Sequence, residues 1–282
     1  MSSTLPLSSL RVAVAQIGVT LADIDANIVT HEAYISKARA QNVELLVFPE
    51  LSLTGYQVGR LTPQLAMSLD DPRVQRLAAA SQDIIVVCGL IEMAAAGEYY
   101  NSVLWLCNGQ VLACHRKLNL PTYGALEEGK VFHAGKQLSL VELKKHWPSS
   151  ALICADMWNP GLLFSTMLQR PNILIAPINS GEGVVSDEFS NPHNWQLNLA
   201  YTAMTYGVFV AMANRCDTEL EVRFWGGSRI LGPRGEVLAQ AGENVQLITA
   251  DIEVEAISQA RFDLPTMRDA QPALIKKLLA SF

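Results

Sequence analysis

Hydrophobic positions along the chain fall into short, recurring runs. Val12–Ile17, Leu45–Phe48, Ile84–Ile91, Val103–Cys107, Ala151–Cys154, Ile173–Ile178, Val208–Ala213 and Gln246–Ile252 are each four to eight residues long and rich in Val and Ile. Apolar runs of this length read as strands covered on both faces. Stretches with helical spacing lie between several of them. Ile24, Ile28, Ile35 and Ala38 share one helical face, with Asp25 as the expected N-cap. Asn159-Pro160 followed by Leu162, Leu163 and Met167 predicts a helix capped by the asparagine, with proline in its first position. Trp195, Leu199, Ala203 and Met204 predict another helix, and Pro272 to Leu279 a terminal one. The turn residues Gly232-Pro233-Arg234-Gly235 predict a hairpin, and hairpin-like pairs occur around 99–117 and 223–240. Strands that alternate with helices and are joined by hairpins predict a layered α/β fold with mixed sheets.

Composition narrows the picture. A chain of 282 residues leaves two domains open at about 150 residues each. No internal repeat, low-complexity linker or charge block marks a boundary, however. Half of the residues are hydrophobic and 17% are charged, which supplies a sizeable core and argues against disorder. The net charge of -6 gives no reason to expect nucleic acid or an anionic membrane surface as a partner. MSSTLPLSS lacks the basic and apolar regions of a signal peptide. The longest apolar run, Ile84–Ile91, is far short of the ~20 residues of a membrane span. Five cysteines with no CxxC pair point to reduced thiols and a cytoplasmic protein. The five histidines show no HxxxH spacing, so a histidine metal site has no support in the sequence.

Candidate chemistry sits where strands end. Leu45–Phe48 runs into Pro49-Glu50, Val111–Arg116 into Lys117, and Ala151–Cys154 ends on a thiol. Ligands of α/β proteins gather beyond the carboxyl ends of strands. Each residue alone has a plainer reading: a solvated carboxylate, a surface ammonium, a packed thiol. Together they make a chemical set. A carboxylate can deprotonate a thiol for attack on an amide carbonyl, and an ammonium can stabilise the thiolate and the oxyanion that follows. Such a set needs no metal or cofactor.

The segments around these residues resemble a known family. LLVFPELSLTGY (Leu45–Tyr56), HRKLNLPTYGALEEGKVF (His115–Phe132) and ICADMWNP (Ile153–Pro160) are similar to the three signatures of the nitrilase superfamily, the carbon–nitrogen hydrolases. AVAQI (Ala13–Ile17), YNSVLWLCNGQVL (Tyr100–Leu112), FWGGSRILGPRGEVLA (Phe224–Ala239) and ARFDLPTMRDAQP (Ala260–Pro272) resemble further family segments in the same order. The resemblance implies a four-layer α-β-β-α sandwich with two mixed β-sheets, formed by a single domain over 1–282. Roughly 10–255 would be the sandwich and 256–282 a C-terminal tail. It implies Glu50 as general base, Lys117 as oxyanion stabiliser and Cys154 as nucleophile. A second glutamate follows the lysine in the family; Glu127 and Glu128 compete for that place, and alignment favours Glu128. The Ala155 N–H would complete the oxyanion hole. Read from the residues themselves, Tyr123, Trp158 and Phe189 are candidates to line a substrate pocket, with core aromatics as the plainer reading, and Asn179-Ser180-Gly181 after a buried strand either reaches the substrate or forms an ordinary turn. Cys88, Cys107, Cys114 and Cys216 are expected to be inert packing thiols.

Two departures bear on the reaction. Asp156 and Trp158 give a CxDxW form, found in amidase-like branches and in glutaminase domains of glutamine-dependent NAD synthetases, whereas the Trp-Glu pair of true nitrilases is absent. Where many members carry an Arg-Ala-x-Glu-Asn stretch, this chain has Thr202, Ala203, Met204, Thr205 and Tyr206. The expected activity is release of ammonia from a small-molecule primary amide. N-carbamoyl amine or nitrile hydrolysis and a catalytically inactive binding homologue are the alternatives. The resemblance also implies a homodimer or higher homo-oligomer, joined through the region after Cys154 and the tail. Loops 57–69 and 180–191 are expected to set the substrate. A basic pocket wall would suit a carboxylated amide, an apolar wall an aliphatic or aromatic one.

Overall fold

The computed structural model describes residues 8–186 and 188–281; the N-terminal segment read for a signal peptide lies, but for its last two residues, outside them. The first sheet is built from β1 (Ser9–Gln16), β2 (Leu45–Val47), β3 (Ile85–Ala95), β4 (Glu98–Cys107) and β5 (Gln110–Arg116). The strands β6 (Val141–Glu142), β7 (Pro148–Ala151), β8 (Ile173–Pro177), β9 (Phe209–Ala213), β10 (Thr218–Glu219), β11 (Val222–Arg223), β12 (Arg229–Leu231), β13 (Val237–Gln240) and β14 (Gln246–Glu253) follow. The helices are α1 (Ile24–Arg39), α2 (Thr62–Leu65), α3 (Pro72–Ala80), α4 (Pro160–Leu168), α5 (Asn191–Tyr206), α6 (Val254–Asp263) and α7 (Pro272–Leu279).

One six-stranded sheet runs β14-β1-β2-β3-β4-β5 and the other β13-β12-β9-β8-β7-β6; β10 and β11 pair separately. In the first sheet β1, β2 and β3 are parallel, and β14, β4 and β5 join antiparallel. In the second β7, β8 and β9 are parallel, and β6, β12 and β13 join antiparallel. Listed from β6, the second sheet therefore repeats the pattern of the first, although the sequence carries no visible repeat.

Strand periodicity explains the layers, because successive side chains leave opposite faces. Val12, Val14, Leu45, Val47, Val87 and Trp105 meet Ile153, Ile173, Ile175, Phe209 and Ala211 between the two sheets. Their alternates, such as Ala13, Ala15, Leu46, Phe48 and Val86, pack with Ile28, Ile35, Val74 and Leu77 from α1 and α3. Leu174, Ala176, Val210 and Met212 pack with Leu163, Met167, Leu199 and Ala203 from α4 and α5. The result is the four-layer α-β-β-α sandwich, with its strands apolar on both faces as the unbroken runs predict.

Local expectations are met with two corrections. Asn159 caps α4 and accepts from Gly161 N and Leu162 N, with Pro160 in the first position. The hairpins β4–β5 and β12–β13 form as expected. Asp23 caps α1, accepting from Ala26 N at 3.0 Å. Asp25 is already inside the first turn, where its charge complements the helix N-terminus instead. The run Ala151–Cys154 is also not all strand. β7 stops at Ala151, and Cys154 opens a 3-10 turn over Cys154–Trp158. Among the described residues no helix is long and apolar enough to cross a membrane.

Candidate active site

Glu50 lies three residues beyond the end of β2, in a loop that turns sharply against the sheet. Leu51 adopts φ +46, a left-handed value unusual for a side chain of its size. The turn fits only because β3 carries Gly89 alongside, where an added Cβ would lie 2.3 Å from Leu51 N. His31 anchors the same loop from α1. Its ring stacks on Phe48, its Nδ1 sits 2.7 Å from Asn27 O and its Nε2 2.9 Å from Ser52 Oγ. Burial pushes the His31 pKa down to about 4, so the ring is neutral near pH 7. Glu50 itself is fully buried. Its Oε1 accepts from Asn101 Nδ2 and Lys117 Nζ, both at 2.7 Å, while Oε2 meets no donor among the described residues.

Lys117 directly follows β5. Its backbone N–H donates to Asn101 O at 2.8 Å, and its ammonium is fully buried between two carboxylates. Nζ reaches Glu50 Oε1 at 2.7 Å and Glu128 Oε1 at 2.6 Å. Burial alone would lower the Lys117 pKa, but Glu128 and Glu50 outweigh it and hold the group well above its ordinary value. The two competing glutamates separate cleanly. Glu127 is exposed and pairs with Lys130 at 2.5 Å, whereas Glu128 is buried against Lys117. Burial raises the Glu128 pKa and Lys117 opposes that rise.

Cys154 sits at φ +45 in the first position of its turn. Asp156 ties this turn to the lysine segment: Oδ2 accepts from Ile153 N at 3.0 Å, and Oδ1 from Leu118 N at 3.0 Å and Asn119 N at 2.6 Å. One carboxylate thus fixes Cys154 and Lys117 relative to each other. The Ala155 N–H belongs to the first turn of a 3-10 helix, whose N–H groups have no partner within the helix. Burial pushes the Cys154 thiol well above its ordinary range, and the charges of Glu50 and Glu128 push the same way. Lys117 and the backbone N–H of Asn179 oppose them. The resting side chain is a neutral thiol that needs a base to become a nucleophile.

Cys154 opens onto a cavity of about 310 Å³. Tyr123, Ala155, Trp158 and Asn179, the four residues expected to bind substrate, all line it, as does Phe189. Tyr123 is exposed, while Trp158 packs edge-on against Trp195 (5.0 Å between centroids) and Phe189 (5.9 Å). Asn179 Nδ2 donates to Glu50 O at 2.8 Å, joining the strand-end loops of the two sheets. Neither His115 nor His193 lines the cavity. The remaining cysteines divide: Cys88 is buried, with its pKa pushed up to about 12, whereas Cys107, Cys114 and Cys216 are partly exposed. The expectation of four fully packed thiols is corrected for these three, which lie at strand ends, edges and loops where cover is incomplete. Among the described residues no cluster of three or more His, Cys, Asp or Glu could hold a metal ion.

Sequence reasoning missed several participants. Tyr56 and Asn101 lie inside the quoted segments, but nothing in their spacing shows that Tyr56 Oη donates to Glu128 Oε1 at 2.6 Å or that Asn101 reaches Glu50. Arg215 and Glu219 carry no sequence signal at all. The buried Arg215 guanidinium pairs with Asp217 and Glu219. Glu219 Oε1 in turn accepts from Tyr56 N at 3.1 Å and Gln57 N at 2.7 Å. This buried ion pair holds the tyrosine against Glu128.

Known proteins place this geometry in context. The glutamine-dependent NAD(+) synthetase of Thermotoga maritima is 27% identical over 259 residues, covering 88% of this chain and 43% of that enzyme. The chain thus spans less than half the length of that relative. The N-carbamoylputrescine amidase of Solanum tuberosum is 26% identical, with 91% of each chain covered. Among solved structures, the carbon-nitrogen hydrolase of Helicobacter pylori shares the fold, with a TM-score of 0.82 at 22% identity over 96% of this chain and 98% of that one. A glutamate-to-glutamine variant of an amidase from Nesterenkonia sp. has a TM-score of 0.77 at 25% identity, covering 92% and 96% of the two chains. Its structure shows the acetamide moiety of fluoroacetamide covalently added at the active-site cysteine. The family model described as carbon-nitrogen hydrolase matches residues 11–262, and the chain belongs to that family.

Proposed function

We propose that this chain hydrolyses a linear, non-peptide C–N bond as an amidase, releasing ammonia from a primary amide through a thioester on Cys154. The observation that carries this reading is the arrangement around Lys117: one buried ammonium bridges Glu50 and Glu128 beside a cysteine that opens onto a mostly apolar cavity. In the proposed first half-reaction Glu50 takes the thiol proton and the sulfur adds to the amide carbonyl. The Lys117 ammonium and the Ala155 N–H face the oxyanion that forms. Collapse breaks the C–N bond, and Glu50 returns its proton to the departing nitrogen, which leaves as ammonia. In the second half-reaction Glu50 takes a proton from water. The resulting hydroxide adds to the thioester carbonyl, the carboxylic acid departs, and the proton returns to Cys154. Glu128, held by Lys117 and Tyr56, keeps the ammonium in place and shares its charge.

Support comes from the unpartnered Glu50 Oε2, which leaves an acceptor free for a proton, and from the Nesterenkonia amidase, whose cysteine takes up an acetamide group. A second reading, hydrolysis of an N-carbamoyl amine, draws on the likeness to the Solanum enzyme over nearly its full length. Ammonia assays with primary amides, N-carbamoyl amines and nitriles side by side separate these reactions. Cys154→Ala is expected to lower amide turnover at least ~1,000-fold and to remove the acyl adduct from the intact-mass spectrum of enzyme quenched during turnover. Retention of full activity by that variant would end the thioester reading.

A further inference from the structure

The cavity is sparsely charged: among the described residues Glu128 is its one charged lining residue. Away from the Lys117 cluster its wall is Leu126, Trp158, Val184, Val185, Phe189 and Trp195. Among the described residues no Lys, Arg, Asp or His lines it, and its one carboxylate, Glu128, is engaged by Lys117 and Tyr56 through Oε1 while its buried Oε2 meets no donor. A charged acyl group would lose its hydration on entry, and an anionic one would meet no cation in the lining, which costs several kcal/mol per ion.

Polar side chains interrupt the apolar wall, Ser180 and Asn191 among them. Ser180 Oγ accepts from both Trp195 Nε1 at 3.0 Å and Trp225 Nε1 at 3.1 Å. A hydroxyl has two acceptor lone pairs and one proton to donate. The two indoles use both lone pairs, so Ser180 can act only as a donor, and no described residue takes its proton. Asn191 is the complement. Its Nδ2 donates to Gly181 O, and its buried Oδ1 meets no donor. Both side chains are almost fully buried, and the Asn191 amide bonds the carbonyl of the residue next to Ser180. The wall therefore offers Ser180 as a fixed donor with the unanswered acceptor Asn191 Oδ1, besides the unanswered Asn179 Oδ1 on the residue that bonds the Glu50 carbonyl. An unanswered buried polar atom costs about 1–3 kcal/mol, which a fitting ligand recovers.

We propose that Ser180 and Asn191 select the substrate: a short, uncharged primary amide whose acyl chain carries a hydroxyl group, accepting from Ser180 and donating to Asn191. This rests on the amidase reading above. The test is ammonia release by the purified chain, read as kcat/KM. The compounds are propionamide, lactamide, its terminal-hydroxyl isomer, succinamate, glycinamide and L-glutamine. At least one hydroxylated amide is expected to exceed propionamide about tenfold, and the charged compounds to fall about 100-fold or more below it. In Ser180→Ala and Asn191→Leu the hydroxylated-to-plain ratio is expected to collapse toward one, whatever the absolute rate of each variant. Should a variant fail to fold, the wild-type ratios still decide. Propionamide turned over as well as both hydroxylated isomers, or succinamate, glycinamide or glutamine turned over at its level, would overturn the selection while leaving the amidase reading intact. No ammonia from any of the six, with no adduct on Cys154, would defeat the amidase reading itself and this inference with it.

Discussion

The two sheets share one strand pattern, yet they bring different chemistry to the site. Matched by order and direction, β2 of the first sheet corresponds to β8 of the second, and β1 to β7. Beyond β2 comes Glu50; beyond β8 come Asn179 and Ser180. These corresponding loops touch, since Asn179 donates to the Glu50 carbonyl. The first half also supplies Lys117 beyond β5 and Glu128 soon after. The second supplies Cys154 beyond β7 and the neutral groups of the cavity. The difference shows how a buried site can hold charge. The Lys117 ammonium lies 2.6–2.7 Å from both carboxylates, which offsets part of the cost of burying them, and that proximity comes from neighbouring segments of one half. Cys154, on the other half, is held neutral at rest by burial and by the two carboxylates, and in the proposed mechanism it becomes charged only by giving its proton to Glu50.

The largest test of this division is Glu50→Gln. It removes the base but also one of the charges that raise the thiol pKa. Turnover is expected to fall by roughly 100- to 10,000-fold. The rate of Cys154 alkylation by iodoacetamide at pH 7–8 should rise, because the thiol pKa falls. Mass spectrometry of the labelled cysteine reads the second effect; a parallel loss of both would mean that the halves are not coupled through this proton.

A smaller test concerns the anchor of the charged half. His31 is held neutral, its pKa down at about 4 against 6.5 when unfolded. The unfolded chain takes up the proton first as pH falls. Stability is therefore full above about pH 6.5 and is lost progressively down to pH 4, by about 3 kcal/mol in total. Urea unfolding between pH 7 and 4 measures this slope, and His31→Gln should flatten it. An unchanged slope in the variant would assign the acid sensitivity to other groups.

The smallest expected effect is that of Tyr56→Phe. It deletes the hydrogen bond to Glu128 and leaves the Arg215–Glu219 clamp on the backbone intact. A loss of about 1.5 kcal/mol, roughly tenfold in kcat/KM, is expected with little change in melting temperature. If the variant keeps full activity, the tyrosine merely fills space beside the charged cluster.

Much of this was legible beforehand, and the residues show why. Apolar runs such as Ile173–Ile178 admit one economical solution, a strand covered on both sides, so the layers follow from composition along the chain. Glu50 and Lys117 stand just beyond strand ends that their flanking residues already mark. Other features have no local trace. Asp25 and Asp23 are equally good caps by type, and only the path of the chain into α1 decides for Asp23. Cys154 looks like the end of a strand but begins a turn, because Asp156 draws the backbone toward the lysine segment. Arg215 and Glu219 look like ordinary charges, and their burial against Tyr56 comes from contacts across more than 150 residues of chain.

By itself the sequence determined the number and kind of elements, the buried faces and the reacting residue types, since each depends on neighbours a few positions away. The tertiary structure alone decided that Tyr56 meets Glu128, that the two sheets repeat one pattern, and that Ser180 is left with only a proton to offer. Those outcomes depend on distances between segments remote in the chain, where a shift of an ångström makes or breaks a hydrogen bond.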